Sequence, residues 1–134
     1  MDKILTAEEF LTLVLAKLSL AVPGIVLMDV DLDRRFEEAY ETLLDHEKSF
    51  GVTSNFTFYR DPLHGNTAKL RDALLSLRER RLVKPADEPH AVKVQIPAER
   101  AKALLQDTPI PDEFLSVLVN ASFGDLTAAV PGPA

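Results

Sequence analysis

The sequence predicts an α+β, α-rich fold: a helical core with a small β-wing, in a single domain over residues 1–124, followed by a flexible tail over residues 125–134. Three observations predict it. Several long stretches repeat their apolar residues every three to four positions, the period of an amphipathic helix. One short stretch, Val92-Lys93-Val94-Gln95-Ile96, alternates with period two behind a proline-flanked turn. The 134 residues, 46% hydrophobic and 27% charged, suffice for one core that needs neither disulfide nor metal. Cysteine is absent, which excludes a disulfide scaffold, a cysteine nucleophile, thiolate zinc sites and iron–sulfur clusters.

The first helix is expected over residues 7–20. Thr6 and Glu9 form a capping box, and Leu5 and Phe10 occupy the two positions of a hydrophobic staple. Pro23-Gly24 ends it. Leu11, Leu13, Val14, Leu15, Leu18 and Leu20 lie on more than one face, which suits either a central helix or half of a dimer interface. A homodimer is expected, because one small core leaves part of such a surface uncovered. Between Phe10 and Met28 the one charge is Lys17, yet Pro23-Gly24 interrupts the run short of the roughly 20 apolar residues of a membrane span. Asp2, Glu8 and Glu9 stand where a signal peptide is basic. No membrane and a cytoplasmic location are the expectations.

The second helix is expected over residues 32–48, behind an acidic entry of Asp29, Asp31 and Asp33. Leu32, Phe36, Tyr40, Leu43 and Glu47 fall on one stripe, with Ala39 and Leu44 beside it, and Gly51 is placed as a left-handed terminator. Phe56 to Tyr59 alternate as a half-buried strand, and His64-Gly65-Asn66 is turn chemistry. A third helix follows, capped by Asn66 or Thr67 and running to Arg81. Leu70, Ala73, Leu74 and Leu77 form its apolar face, with Leu74 inside the core and Leu75 outside. Leu82-Val83, the turn over residues 85–89 and the strand over 92–96 make a hairpin. A short helix over 98–106 and a last helix, opened by Pro111 and closed by Gly124, complete the fold.

Phe56-Thr57-Phe58, then Gly65-Asn66-Thr67-Ala68-Lys69-Leu70-Arg71-Asp72-Ala73-Leu74-Leu75-Ser76-Leu77, then Arg81-Leu82-Val83 and Val92-Lys93-Val94 resemble the strand–helix–hairpin part of a winged-helix domain. The pattern is similar to that of small bacterial antitoxin-like winged-helix proteins of the Panacea type, and it spans residues 56–96 of the 134. The resemblance implies a recognition helix over 67–81 whose first turn offers Asn66, Thr67 and Lys69, flanked by Arg71 and Arg78, with Lys84 and Lys93 as wing contacts. It implies a non-enzymatic regulatory module that binds nucleic acid, as a transcription regulator does. The alternative is an antitoxin-like or adaptor protein that binds another protein through the apolar first helix.

Charge by segment leaves both open. Residues 1–57 carry 5 Lys/Arg against 11 Asp/Glu, residues 58–104 carry 10 against 6, and residues 105–134 carry 0 against 4. Phosphate binding needs cationic surface, and only the middle segment is basic. Its charges also fit the solvated side of an amphipathic helix.

Other chemistry finds little footing. Asp29-Val30-Asp31-Leu32-Asp33 begins like a calcium loop, but Arg34 stands where glycine is needed and Tyr40 where the bidentate glutamate belongs. Acids there suit a helix N-terminus instead. His46, His64 and His90 have no pair at ligand spacing. No nucleophile elbow, phosphate loop or dinucleotide fingerprint is present. No enzyme, cofactor or metal is expected.

Overall fold

The computed structural model describes residues 3–56, 68–87 and 89–128. Over these the chain forms β1 (Lys3–Leu5), α1 (Ala7–Ala21), β2 (Val26–Met28), α2 (Asp29–Phe50), β3 (Val52–Ser54), α3 (Ala68–Glu79), β4 (Val83–Pro85), β5 (Ala91–Val94), α4 (Ala98–Asp107) and α5 (Asp112–Ala128). The α-rich α+β class with a small wing is what the sequence predicted.

Helix α1 starts as its cap requires. Thr6 is extended and its hydroxyl oxygen accepts the Glu9 amide at 3.2 Å. Leu5 and Phe10, the staple pair, are both buried. So are Leu11, Leu13, Val14, Leu15, Ala16 and Leu18, because α3, α4 and α5 all pack against this helix. Of the two readings of its apolar surface, the central helix is the one observed. Leu20, 37% exposed, is the leucine of that surface left open to solvent.

Helix α2 begins at Asp29, three residues before the expected start, and ends at Gly51, whose φ of 65° and ψ of 39° are the left-handed cap. Asp29 and Asp31 sit in its first turn, where carboxylates meet the positive end of the helix dipole. The Asp29 amide donates to the carbonyl of His90 at 2.8 Å, so the wing supplies a cap that local sequence does not. Leu32, Phe36, Ala39, Tyr40 and Leu43 are buried, whereas Leu44 is exposed and Glu47 only half-buried, so the core stripe is narrower than the spacing suggested.

Of the strand expected over residues 56–59, Phe56 alone lies among the described residues, and it falls outside the strand that precedes it. That strand is β3, which runs parallel to β1 with Lys3 opposite Val52 and Leu5 opposite Ser54. Phe56 lies beyond it as a buried core residue, stacked on Phe10 at 5.4 Å, and its carbonyl accepts the Tyr40 hydroxyl at 3.2 Å. Residues 57–59 lie outside the described residues, as do Asn66 and Thr67. Phe10 meets Phe36 edge-on at 5.7 Å, and Phe36 meets Phe123 edge-on at 5.6 Å. One aromatic chain thus joins α1, α2 and α5.

The hairpin is present with a shifted second strand, Ala91–Val94 instead of 92–96, and with an unforeseen third member. The sheet order is β2-β5-β4, all antiparallel. Val83, Val94 and Leu27 are buried under it. Helix α3 stops at Glu79, short of Arg81, which takes a left-handed φ of 62° as the chain turns into β4. Leu70, Ala73 and Leu77 face the core as predicted, but Leu74 is only half-buried.

At the C-terminal end the expected boundary moves. Gly124 lies inside α5 and does not terminate it, so residues 125–128 belong to the domain and not to a tail. Residues 129–134 lie outside the described residues.

Two pairs of substitutions test this layout. Leu77→Ala empties a fully buried position and should cost about 2–5 kcal/mol, while Leu75→Ala, at a side chain 55% exposed, should cost no more than about 0.5 kcal/mol. Equal losses in chemical denaturation would show the helical phase to be wrong. The glycines should respond with opposite signs. A Cβ meets nothing within 4 Å at either Gly51 or Gly124, so conformation decides. Gly51→Ala should destabilise by about 1 kcal/mol, because alanine resists the left-handed region. Gly124→Ala should stabilise by about 0.5–1 kcal/mol, as expected in a helix interior.

Candidate nucleic-acid interface

Helix α3 presents two adjacent stripes. Leu70, Ala73 and Leu77 take the core. Arg71, Leu74, Leu75 and Arg78, at spacings of three, four and seven, line a groove that the wing closes from the other side. The wing's contributions include Lys84, Pro85, His90 and Val92, and the groove holds about 530 Å³. Arg71 and Arg78 are exposed and stand about 10.5 Å apart along the helix axis. Neither makes an ion pair with a described residue.

The wing adds a second pair of cations. Lys84 and Lys93 are direct partners across the β4–β5 ladder, so their side chains leave the same face. Val26 is opposite Lys93 on that face and is exposed. Like charges directly opposite each other cost stability in a sheet, which makes this pair an arrangement that packing alone does not favour. Lys84 belongs both to the α3 groove and to the hollow that Lys93, Val26 and Asp87 line on the wing. Lys84 therefore adjoins both Arg71 and Arg78 of the groove and Lys93 of the wing. Asp29 and Asp87 temper these charges.

Not every predicted cation joins. Lys69 lies in the first turn of α3, and its side chain is outside the described residues, like Asn66 and Thr67. Arg80 turns away to Glu8 of α1 at 3.0 Å, where its charge is spent on helix packing. Arg81 offers its carbonyl to the Gln95 side-chain amide at 3.0 Å. His90, which has no pair at ligand spacing in the sequence, sits on the groove with a left-handed φ of 57°. The signal that could have found the groove was the Arg-Leu-Leu-Arg spacing beside the core stripe. His46 contacts the Thr42 carbonyl at 2.9 Å on its own helix, and His64 is outside the described residues.

The strongest charge pairing lies elsewhere and was missed. Arg35 of α2, its side chain 6% exposed, donates to both carboxylate oxygens of Asp125 at 2.7 and 2.9 Å and to the Ser122 carbonyl at 2.8 Å. Its guanidinium also lies over the Phe123 ring at 5.5 Å. The fork fixes the last turns of α5 on α2. It belongs to packing, since its two charges satisfy each other. Asp29 and Asp31 likewise serve the start of α2, and no group of three His, Cys, Asp or Glu among the described residues could hold a metal ion. No helix among them is long and apolar enough to cross a membrane.

Comparison with known proteins adds no relative: no family model, curated protein or solved structure matches the chain.

The Arg35–Asp125 fork makes acid stability testable. Hydrogen bonds from Arg35 hold the Asp125 carboxyl down from its ordinary 3.8 to about 2. Its contribution is present above the ordinary value and is lost as pH falls through the folded one. Wild type should therefore lose more stability than Asp125→Asn between pH 3.8 and about 2. Parallel loss in thermal melts of the two proteins over that window would show that the fork does not hold α5.

Proposed function

We propose that this protein is a non-enzymatic regulatory module, winged-helix-like, that binds nucleic acid through α3 and the β4–β5 wing. One observation carries the reading: of four cations with no ion-pair partner among the described residues, Arg71, Arg78 and Lys84 line one groove, and Lys84 also adjoins Lys93 on the wing. A polyanion satisfies such cations in the way that counter-ions otherwise must. The passage of α3 directly into a hairpin, with β2 bracing that hairpin, supports it further by holding the lysines in a fixed relation to the helix. Guanidinium and ammonium groups on this surface take backbone phosphates, which positions the duplex. Any reading of sequence falls to Asn66 and Thr67, which precede α3 in the sequence. A cytoplasmic transcription regulator is the role that goes with this surface.

The alternative, a protein-binding module that uses the apolar first helix, loses its surface, because α1 is covered by α3, α4 and α5. An interface between copies of the chain would need another face.

Titration of a random-sequence duplex across a range of salt concentrations tests the reading. Each phosphate contact removed should lower the slope of log affinity against log salt by about 1. Arg71→Gln/Lys84→Gln/Lys93→Gln should therefore flatten it by about 3. Arg80→Gln, whose charge is already paired with Glu8, should leave it unchanged. Absence of wild-type binding at low salt, or one slope for all three proteins, would overturn the proposal.

A further inference from the structure

The groove that Arg71, Arg78 and Lys84 line has a property that phosphate binding does not use. Between Arg71 and Arg78 its helix wall is Leu74 and Leu75, and its opposite wall includes Pro85 and Val92. Leu75 is 55% exposed, among the largest exposures of a large apolar side chain in the described chain. An apolar wall left open to water costs stability at a solvated helix face and gains something only when it is covered. The volume, about 530 Å³, falls within the roughly 300–1,000 Å³ of small-molecule sites. Sugar-phosphate backbone would satisfy the arginines and leave the leucines wet. A molecule satisfies both only if it has an apolar body and a negative charge at one end.

We propose that this groove binds an organic anion with an apolar body, of the aromatic or alkyl carboxylate class. Arg71 or Arg78 takes the carboxylate through paired N–H donors, the geometry in which arginine binds carboxylates most strongly. Leu74, Leu75 and Val92 cover the body. Because the same arginines belong to the proposed nucleic-acid surface, the anion excludes nucleic acid from it; that regulatory clause rests on the function proposed above, whereas the site itself does not.

The test uses 2-naphthoate as the probe, followed by its own fluorescence, which no tryptophan in this chain obscures. Saturable binding at one site per chain is expected. 2-Naphthol, with the same rings and no charge at neutral pH, should bind about tenfold more weakly, as should Arg71→Gln/Arg78→Gln toward 2-naphthoate. Leu75→Gln, an exposed position that folding tolerates, should weaken it by about tenfold as well. Arg100→Gln/Lys102→Gln on α4 is the control and should bind as wild type does. Lack of saturation, equal affinity for naphthol, or affinity unchanged in the groove variants would overturn the site. Binding of 2-naphthoate by a protein that ignores duplex would sink the nucleic-acid reading alone. Duplex binding with no uptake of 2-naphthoate would sink the anion site alone. If both bind, 2-naphthoate should displace the duplex, and failure to do so would overturn the regulatory clause.

Discussion

The all-round apolarity of α1 is the constraint on which the rest of the structure depends. A helix with Leu11, Leu13, Val14, Leu15 and Leu18 on different faces cannot lie on a surface, so it must be enclosed. Helices α3, α4 and α5 each cover a side of it, and α2 closes over α5. Lys17, the one cation of the helix, reaches out of this enclosure to Asp112 at 2.7 Å. Each buried leucine or phenylalanine contributes about 1.5–3 kcal/mol, so enclosure of α1 outweighs any single cap or ion pair.

Enclosure also explains where the candidate interface lies. Once Leu70, Ala73 and Leu77 are committed to the core, the neighbouring stripe of α3 stands at the core's edge, half under the wing. That edge is where Arg71 and Arg78 meet Lys84, and where Leu74 and Leu75 remain partly wet. Cationic and apolar surface coincide because one helix borders both the interior and the wing. Among the described residues the two left-handed non-glycine positions, Arg81 and His90, stand at the two ends of the hairpin, one as α3 enters β4 and one as the chain returns into β5. Such positions cost energy that the surrounding structure must hold in place. Here the holding bonds are visible: the His90 carbonyl takes the Asp29 amide, and the Arg81 carbonyl takes Gln95.

The acidic balance of the chain sits with α2 and α5 for a related reason. Helix α2 carries eight acids and α5 three, and α2 packs chiefly on α5 while α3 packs on α1. These acids thereby sit on helices other than α3, while Asp29 at the start of α2 reaches the groove.

What the sequence determined by itself is whatever a single turn of chain can decide. Thr6 with Glu9, Gly51, Pro97 and Pro111 act through groups a few residues away, and each marks a helix end close to where the structure has it. The α3 core stripe and the hairpin turn were legible on the same ground, being periodic or local. The tertiary structure alone decided the strands β1, β2 and β3, since three-residue segments carry no periodicity and owe their existence to partners far along the chain, as Val26 does to Lys93. It decided that Phe56 belongs to the core and not to a strand, by offering Phe10 and Tyr40 as neighbours. It decided that α5 runs through Gly124, because Arg35, more than eighty residues earlier, holds Asp125, the very next residue. And it decided that Arg71, Arg78, Lys84 and Lys93 adjoin while Arg80 does not, since a charge in sequence has no direction until the helix beneath it is packed.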